Sequence, residues 1–198
     1  MKCYPMKKLE KLAASVEKRL KLHHNLYSLP VIAEQWEEIL VKSFHEIGER
    51  ADWDSGSHKV GEDIETDMFG RVSCKSGTLK CPKQGPNAGV ETLTISGSRS
   101  TGQKTLKDKI EYLSKSHDDY YFTLPKYMKD MKSGQYRYWM AIFPSSLIKP
   151  NKLKWKKKGK DYCAEGRGIK QSISTSMSSQ LWTTIETSKV PLWFELNA

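Results

Sequence analysis

An α/β (α+β) fold, a central mixed β-sheet flanked by helices, is what the sequence predicts. Three observations predict it. Apolar residues recur at helical spacing before residue 48 and again over 106–113. Short runs of polar–apolar alternation fill the middle of the chain. Glycine- and proline-bearing turns separate the two kinds of segment. With 198 residues the chain can bury a sizeable core, and at roughly 150 residues per domain it reads as one domain over residues 1–198.

Residues 6–23 place Leu9, Leu12, Val16 and Leu20 on one helical face among lysines, an amphipathic pattern. A second helix is predicted with Ser28 as its cap and Pro30 in its first turn. It continues through Ile32, Trp36, Ile39 and Ile47 and stops at Gly48. Residues 58–77 read as a β-hairpin around Met68, Phe69 and Gly70. With Gly70 left-handed in a three-residue loop, Asp67 pairs with Arg71, Glu65 with Ser73 and Asp63 with Lys75, while Ile64, Val72 and Cys74 form the core side. A loop over 78–89 leads to a strand over 90–96 and a polar turn over 97–102. A helix bearing Leu106, Ile110 and Leu113 follows, then strands over 120–124 and 136–143. The lysine-dense stretch 149–160 reads as an exposed loop, and the tail as a short helix from Ser176 through Trp182 followed by an apolar strand.

The chain has 33 Lys and Arg against 23 Asp and Glu, a net charge of +10. Such a balance suits a polyanionic partner such as nucleic acid, although a solvated basic surface gives the same count. Its four cysteines, at positions 3, 74, 81 and 163, form no Cys-x-x-Cys pair and no zinc-ligand grouping with histidine. Reduced thiols in the cytoplasm are therefore expected. No apolar leader follows Lys2, Lys7 and Lys8, and no run approaches the ~18 apolar residues of a membrane span. Neither a membrane nor an organic cofactor is expected.

Phosphodiester cleavage needs an oxygen-ligated divalent ion, an activated water and positive charge near the phosphate. Asp63 and Lys75 across a hairpin would bring a hard-cation ligand and an ammonium to one phosphate; a plain cross-strand salt bridge is the structural alternative. Asp63, nine intervening residues, then Ser73-Cys74-Lys75 resembles the Asp…(Asp/Glu)-x-Lys motif of the PD-(D/E)XK nucleases. The acidic helix before it, the hairpin, and the strand and helix after it resemble that superfamily's core over residues 30–145.

The resemblance implies a restriction-endonuclease-like core and a Mg²⁺-dependent, sequence-specific cleavage of double-stranded DNA by a homodimer. Asp63 matches the first acid and Lys75 the lysine. Glu62 replaces the proline usual before the acid, and Ser73 stands where the second acid belongs, so another carboxylate must complete the site. Glu91 is the first choice and Glu65 the second. Glu46 and Glu49 resemble the additional helical glutamate of some members. The expected catalytic set is thus Asp63, Ser73, Lys75 and Glu91, with Asp63, Glu91, Glu65 and Glu46 around the metal. Ser98, Arg99, Ser100 and Thr101 are expected at the DNA, as are Lys154, Lys156, Lys157 and Lys158 on its phosphates. The rival readings are a structure-specific or repair nuclease of the same superfamily and a non-catalytic nucleic-acid-binding protein.

Overall fold

The structure, a computed structural model, describes residues 5–53, 63–81, 89–115, 118–130, 135–175 and 178–197. Cys3, Glu62 and Ser176 lie outside them. Two helices open the described chain, α1 (Met6–Leu26) and α2 (Ala33–Glu46). Their apolar stripes, Leu9, Leu12, Val16 and Leu20 on α1 and Trp36, Leu40 and Phe44 on α2, are wholly buried. Gly48, at φ +76°, ends the helical segment as expected. α2 starts later than Ser28 and Pro30 predict. Val31 is pulled into the core, its N–H goes to the Tyr138 hydroxyl (3.3 Å), and the Gln35 side chain accepts from Ile32 N (3.1 Å), so the helix begins only after these residues.

The helices cover one face of a mixed sheet. Its strands are β1 (Ala51–Asp52), β2 (Ile64–Thr66), β3 (Gly70–Lys80), β4 (Thr92–Arg99), β5 (Tyr120–Asp130), β6 (Gln135–Pro144), β7 (Trp155–Lys158), β8 (Asp161–Gly166), β9 (Ile169–Ser174), β10 (Gln180–Glu186) and β11 (Leu192–Leu196). Their order is β11-β6-β5-β3-β4-β10-β9-β8-β7, with the β1–β2 pair attached to β3. Only β3 and β5 pair in parallel; β4 and the helix α3 (Leu106–Ser114) make the crossover between them. α3 is capped by Thr105, whose hydroxyl accepts from Asp108 N (3.1 Å) while Asp108 accepts from Thr105 N (3.2 Å).

Period-two side-chain alternation divides the core. Val72, Cys74, Phe122, Leu124, Met140 and Ile142 face α1 and α2, and Trp36 Nε1 donates to the Phe122 carbonyl (3.1 Å). Leu79, Leu93, Ile95, Tyr121 and Phe143 face the other way and pack with Ile148, Ile169, Ile185 and Val190. The chain from β10 to β11 closes over this second face, where Thr187 N reaches the Glu91 carbonyl (3.0 Å).

Several expectations change. The β2–β3 hairpin pairs Thr66 with Gly70, Glu65 with Arg71 and Ile64 with Val72, so Glu65 opposes Arg71 rather than Ser73. The loop is Asp67–Phe69 because Thr66 Oγ1 accepts from Phe69 N (3.0 Å) and Phe69 is drawn into contact with Phe44 and Phe122. The shift preserves parity, so Ile64, Val72 and Cys74 still form the buried side. Ser98 and Arg99 belong to β4 rather than to a turn. The lysine run is the edge strand β7, not a loop. Gln180, Leu181 and Trp182 are strand, not helix: Leu181, Thr183 and Ile185 are buried at alternate positions, a period of two. Among the described residues no helix is long and apolar enough to cross a membrane.

Gly70 begins β3 at φ +67°, and a Cβ there would stand 2.6 Å from Asp119 Oδ2, which accepts from Arg71 N. Gly70→Ala should lower stability by about 1–2 kcal/mol through the left-handed backbone alone. The check is a fall in the urea midpoint at constant m-value.

Candidate active site

One edge of β3 is filled by β5 from Val72 to Thr78. The other is shared. β2 occupies it up to Val72, where Asp63 N donates to the Val72 carbonyl (3.1 Å), and β4 takes it over only from Gly77. Residues 73–76 therefore face a fork from which β2 has departed and which β4 has not yet joined. β4 itself runs on past Ile95 in contact with β10 as far as Arg99.

Asp63 sits in this fork. Its Oδ2 accepts from the backbone N of Cys74 (2.6 Å), the Lys75 ammonium (2.9 Å) and the Ser73 hydroxyl (3.2 Å). The Cys74 bond stands in for the strand pairing that β2 no longer supplies. The ion pair with Lys75 is neither sealed nor freely solvated, since the two side chains are 24% and 25% exposed. An incoming anion can reach it.

A residue that sequence reasoning missed completes the group. Glu37, on α2, is half-buried, accepts from Trp53 Nε1 (3.3 Å), and lies within the electrostatic reach of both Asp63 and Lys75. Burial, and after it the charge of Asp63, raises its pKa, against the lowering effects of Trp53 and Lys75. Its neighbour Trp36 is buried against Phe122 and fixes the rotation of α2. The available signal was this adjacency: a carboxylate next to the most deeply anchored aromatic of the acidic helix.

The other carboxylates go elsewhere. Glu46 is nine residues, or about two and a half turns, beyond Glu37 and so on the opposite side of α2. There it binds Arg19, Ser15 (2.8 Å) and Lys18 (3.0 Å) of α1, which hold its pKa down at about 2. Glu49 pairs with Lys8. Glu91 precedes Thr92, which opposes Lys80, five residues from Lys75 along β3; at ~3.3 Å per residue that is about 16 Å away. Glu65 is exposed, across from Arg71 on one side and Asp52 on the other. Neither supplies the second acid.

The expected DNA contacts divide in the same way. Ser98 and Arg99 are exposed where β4 passes the fork. Ser100 is buried, and both its N and its Oγ donate to the Ser179 carbonyl (3.1 and 3.0 Å), while Thr101 Oγ1 donates to the Ser178 carbonyl (3.0 Å). Those hydroxyls hold Ser178 and Ser179, both at positive φ, in the facing loop. The buried Lys109 ammonium joins them, donating to Gln103 O (2.6 Å) and Ser179 Oγ (2.9 Å). Lys154, Lys156, Lys157 and Lys158 are exposed and have no ion-pair partner among the described residues.

Among the described residues no three His, Cys, Asp or Glu side chains converge as a metal-holding group. The fork offers two carboxylates, Asp63 and Glu37. That donor set fits Mg²⁺, which is held by one or two carboxylates with water and substrate phosphate, and does not fit a metal needing a full protein cage. No family model, curated protein or solved structure matches this chain.

Because its folded-state pKa is raised, ionised Glu37 opposes folding; that opposition is complete above the raised value and is relieved as pH falls through it toward the usual carboxylate range. Glu37→Gln should therefore be more stable than the native chain at neutral pH in chelator, with the difference closing under acid. Thermal unfolding of both proteins from pH 8 to pH 4 measures it; a pH-independent difference would remove Glu37 from the charged group.

Proposed function

We propose that this chain is a Mg²⁺-dependent endonuclease of the PD-(D/E)XK type that cuts double-stranded DNA at a defined sequence. One observation carries the reading. A carboxylate and an ammonium 2.9 Å apart occupy the open fork of a mixed sheet, in the spacing of that superfamily's motif, with a second carboxylate directed at them from the preceding helix.

Asp63 and Glu37 would hold the ion, which when bound polarises the phosphate and lowers the pKa of a nearby water. Lys75, oriented by Asp63, offers its ammonium to the phosphate oxygens as negative charge accumulates there. Water adds to phosphorus, the opposite P–O bond breaks, the water's proton passes to solvent and the leaving oxygen gains one. Ser73 takes no ligand role: its hydroxyl donates to Asp63 and fixes the carboxylate. The superfamily's second acid is thus replaced in space by Glu37, in the way some members recruit a carboxylate from elsewhere. Arg99, exposed beside the fork, is suited to reach a base edge or phosphate.

A binding-only protein is the second reading, favoured by the fact that Asp63 Oδ2 already takes three donors without a metal. Digestion of a long natural DNA separates the two. Discrete fragments with Mg²⁺, abolished by chelator, are expected. Asp63→Asn should abolish cutting and Lys75→Ala should lower it at least about 100-fold while DNA binding persists. Native-rate cutting by either variant, or smearing in place of discrete fragments, would sink the proposal.

The edge strand gives a finer expectation. Side chains alternate along β7, so Lys156 and Lys158 share a face while Lys157 shares the other with Trp155, which packs beside Leu113, Ile173 and Leu181. Replacing Lys156 and Lys158 by Gln should make the slope of log affinity against log salt shallower by about 0.9 for each phosphate that these lysines neutralise, equally for all sequences. An unchanged slope assigns them to protecting the sheet edge alone.

A further inference from the structure

Nine large apolar side chains are exposed among the described residues, and five of them fall between residues 22 and 32: Leu22 (55%), Leu26 (77%), Tyr27 (56%), Leu29 (73%) and Ile32 (55%). They occupy the elbow between α1 and α2. At about 100° per residue, Leu22 and Leu26 project roughly 200° and 240° around α1 from the buried Leu20, so they form a second apolar stripe pointing away from the core. Nothing within the described chain covers it.

The elbow is pinned rather than loose. Tyr27 N donates to His23 O (2.8 Å), His23 Nε2 meets Leu29 O (3.0 Å), and His24 Nε2 meets the Tyr138 hydroxyl (2.9 Å). Lys126 Nζ of β5 donates to Val31 O (3.1 Å). These bonds tie the segment to the sheet and hold its apolar side chains outward, where they cannot fold back under the helices.

Charge identifies the occupant. Residues 22–33 contain no Lys, Arg, Asp or Glu, in a chain of net charge +10. Two copies repel each other across most of their surface, and that repulsion is weakest where this uncharged apolar elbow meets itself. A double-strand cut adds a second requirement, and this step rests on the function proposed above. The strands of a duplex are antiparallel, each chain carries one fork, and a twofold pair presents one fork to each strand.

We propose that the α1–α2 elbow is the docking face for a second copy of this chain, forming a twofold dimer around Leu22, Leu26, Tyr27, Leu29 and Ile32. The face uses no residue of the fork, so its disruption leaves the Asp63–Lys75 chemistry intact.

Sedimentation velocity of the DNA-free protein tests it, comparing the native chain with Leu26→Ser/Leu29→Ser and Leu26→Glu/Leu29→Glu. Both substitutions are at exposed positions, and unchanged unfolding temperatures at high dilution show that the fold is kept. The native chain should dimerise and both variants should self-associate at least about 100-fold more weakly. A native chain that stays monomeric at every concentration overturns the proposal, as does either variant dimerising like the native chain. A monomer that binds phosphatidylcholine vesicles through these leucines overturns it in favour of a lipid surface. Supercoiled plasmid separates this idea from the nuclease reading: a native dimer that leaves plasmid uncut keeps the docking face and refutes the nuclease, whereas efficient linearisation by a monomer does the reverse.

Discussion

The hydrogen bond from Cys74 N to the Asp63 carboxylate sits where the edge of β3 changes partners, and the site is built around it. A strand edge holds one neighbour at a time, so a switch from β2 to β4 strands backbone groups that need other partners. Asp63 supplies one from its side chain, at the first residue of the departing segment. The same oxygen then collects Ser73 and Lys75, which alternate onto the open side while Cys74 packs into the core. A sheet defect and a charged constellation therefore have one cause.

The helices on the far side of the sheet complete the arrangement through packing. Trp36 is wholly buried and bonds the Phe122 carbonyl, so α2 has one rotation about its axis. That rotation sends Glu37 to the fork and Glu46 to α1, where Arg19, Ser15 and Lys18 hold it ionised. Glu37 carries the opposite bias, its carboxyl raised by burial and by the Asp63 charge. A group whose ionised form is disfavoured in the fork gains most from a cation placed between it and Asp63. Beyond the fork, Ser100, Thr101 and Lys109 lock the end of β4 to the Ser178–Ser179 loop, so Arg99 is presented from a braced strand end.

Cationic surface and apolar surface are kept apart. The lysines of β7 lie on one outer edge of the sheet, where unpaired backbone groups would otherwise invite pairing with another chain. The exposed leucines lie at the α1–α2 elbow, in a stretch with no charge at all. A polyanion and an apolar partner would thus meet different parts of the molecule.

Whatever follows from a local period was legible in the amino-acid sequence. The stripe of α1, the stop at Gly48, the left-handed Gly70 and the core side of Ile64, Val72 and Cys74 need only 3.6 or 2 residues per repeat. The nearness of Asp63, Ser73 and Lys75 survived an error of register because a shift that preserves parity preserves the face. Which carboxylate joins them was settled by tertiary packing. Glu91 stands one strand away in sequence but at the far end of β3, Glu65 turns to Arg71 and Asp52, and Glu37 arrives from a helix packed against the sheet. Likewise Ser100 reads as an exposed hydroxyl until the loop 79 residues away is brought against it. Strand register across long connections and helix rotation on a sheet are set by non-local packing, and no local repeat encodes them.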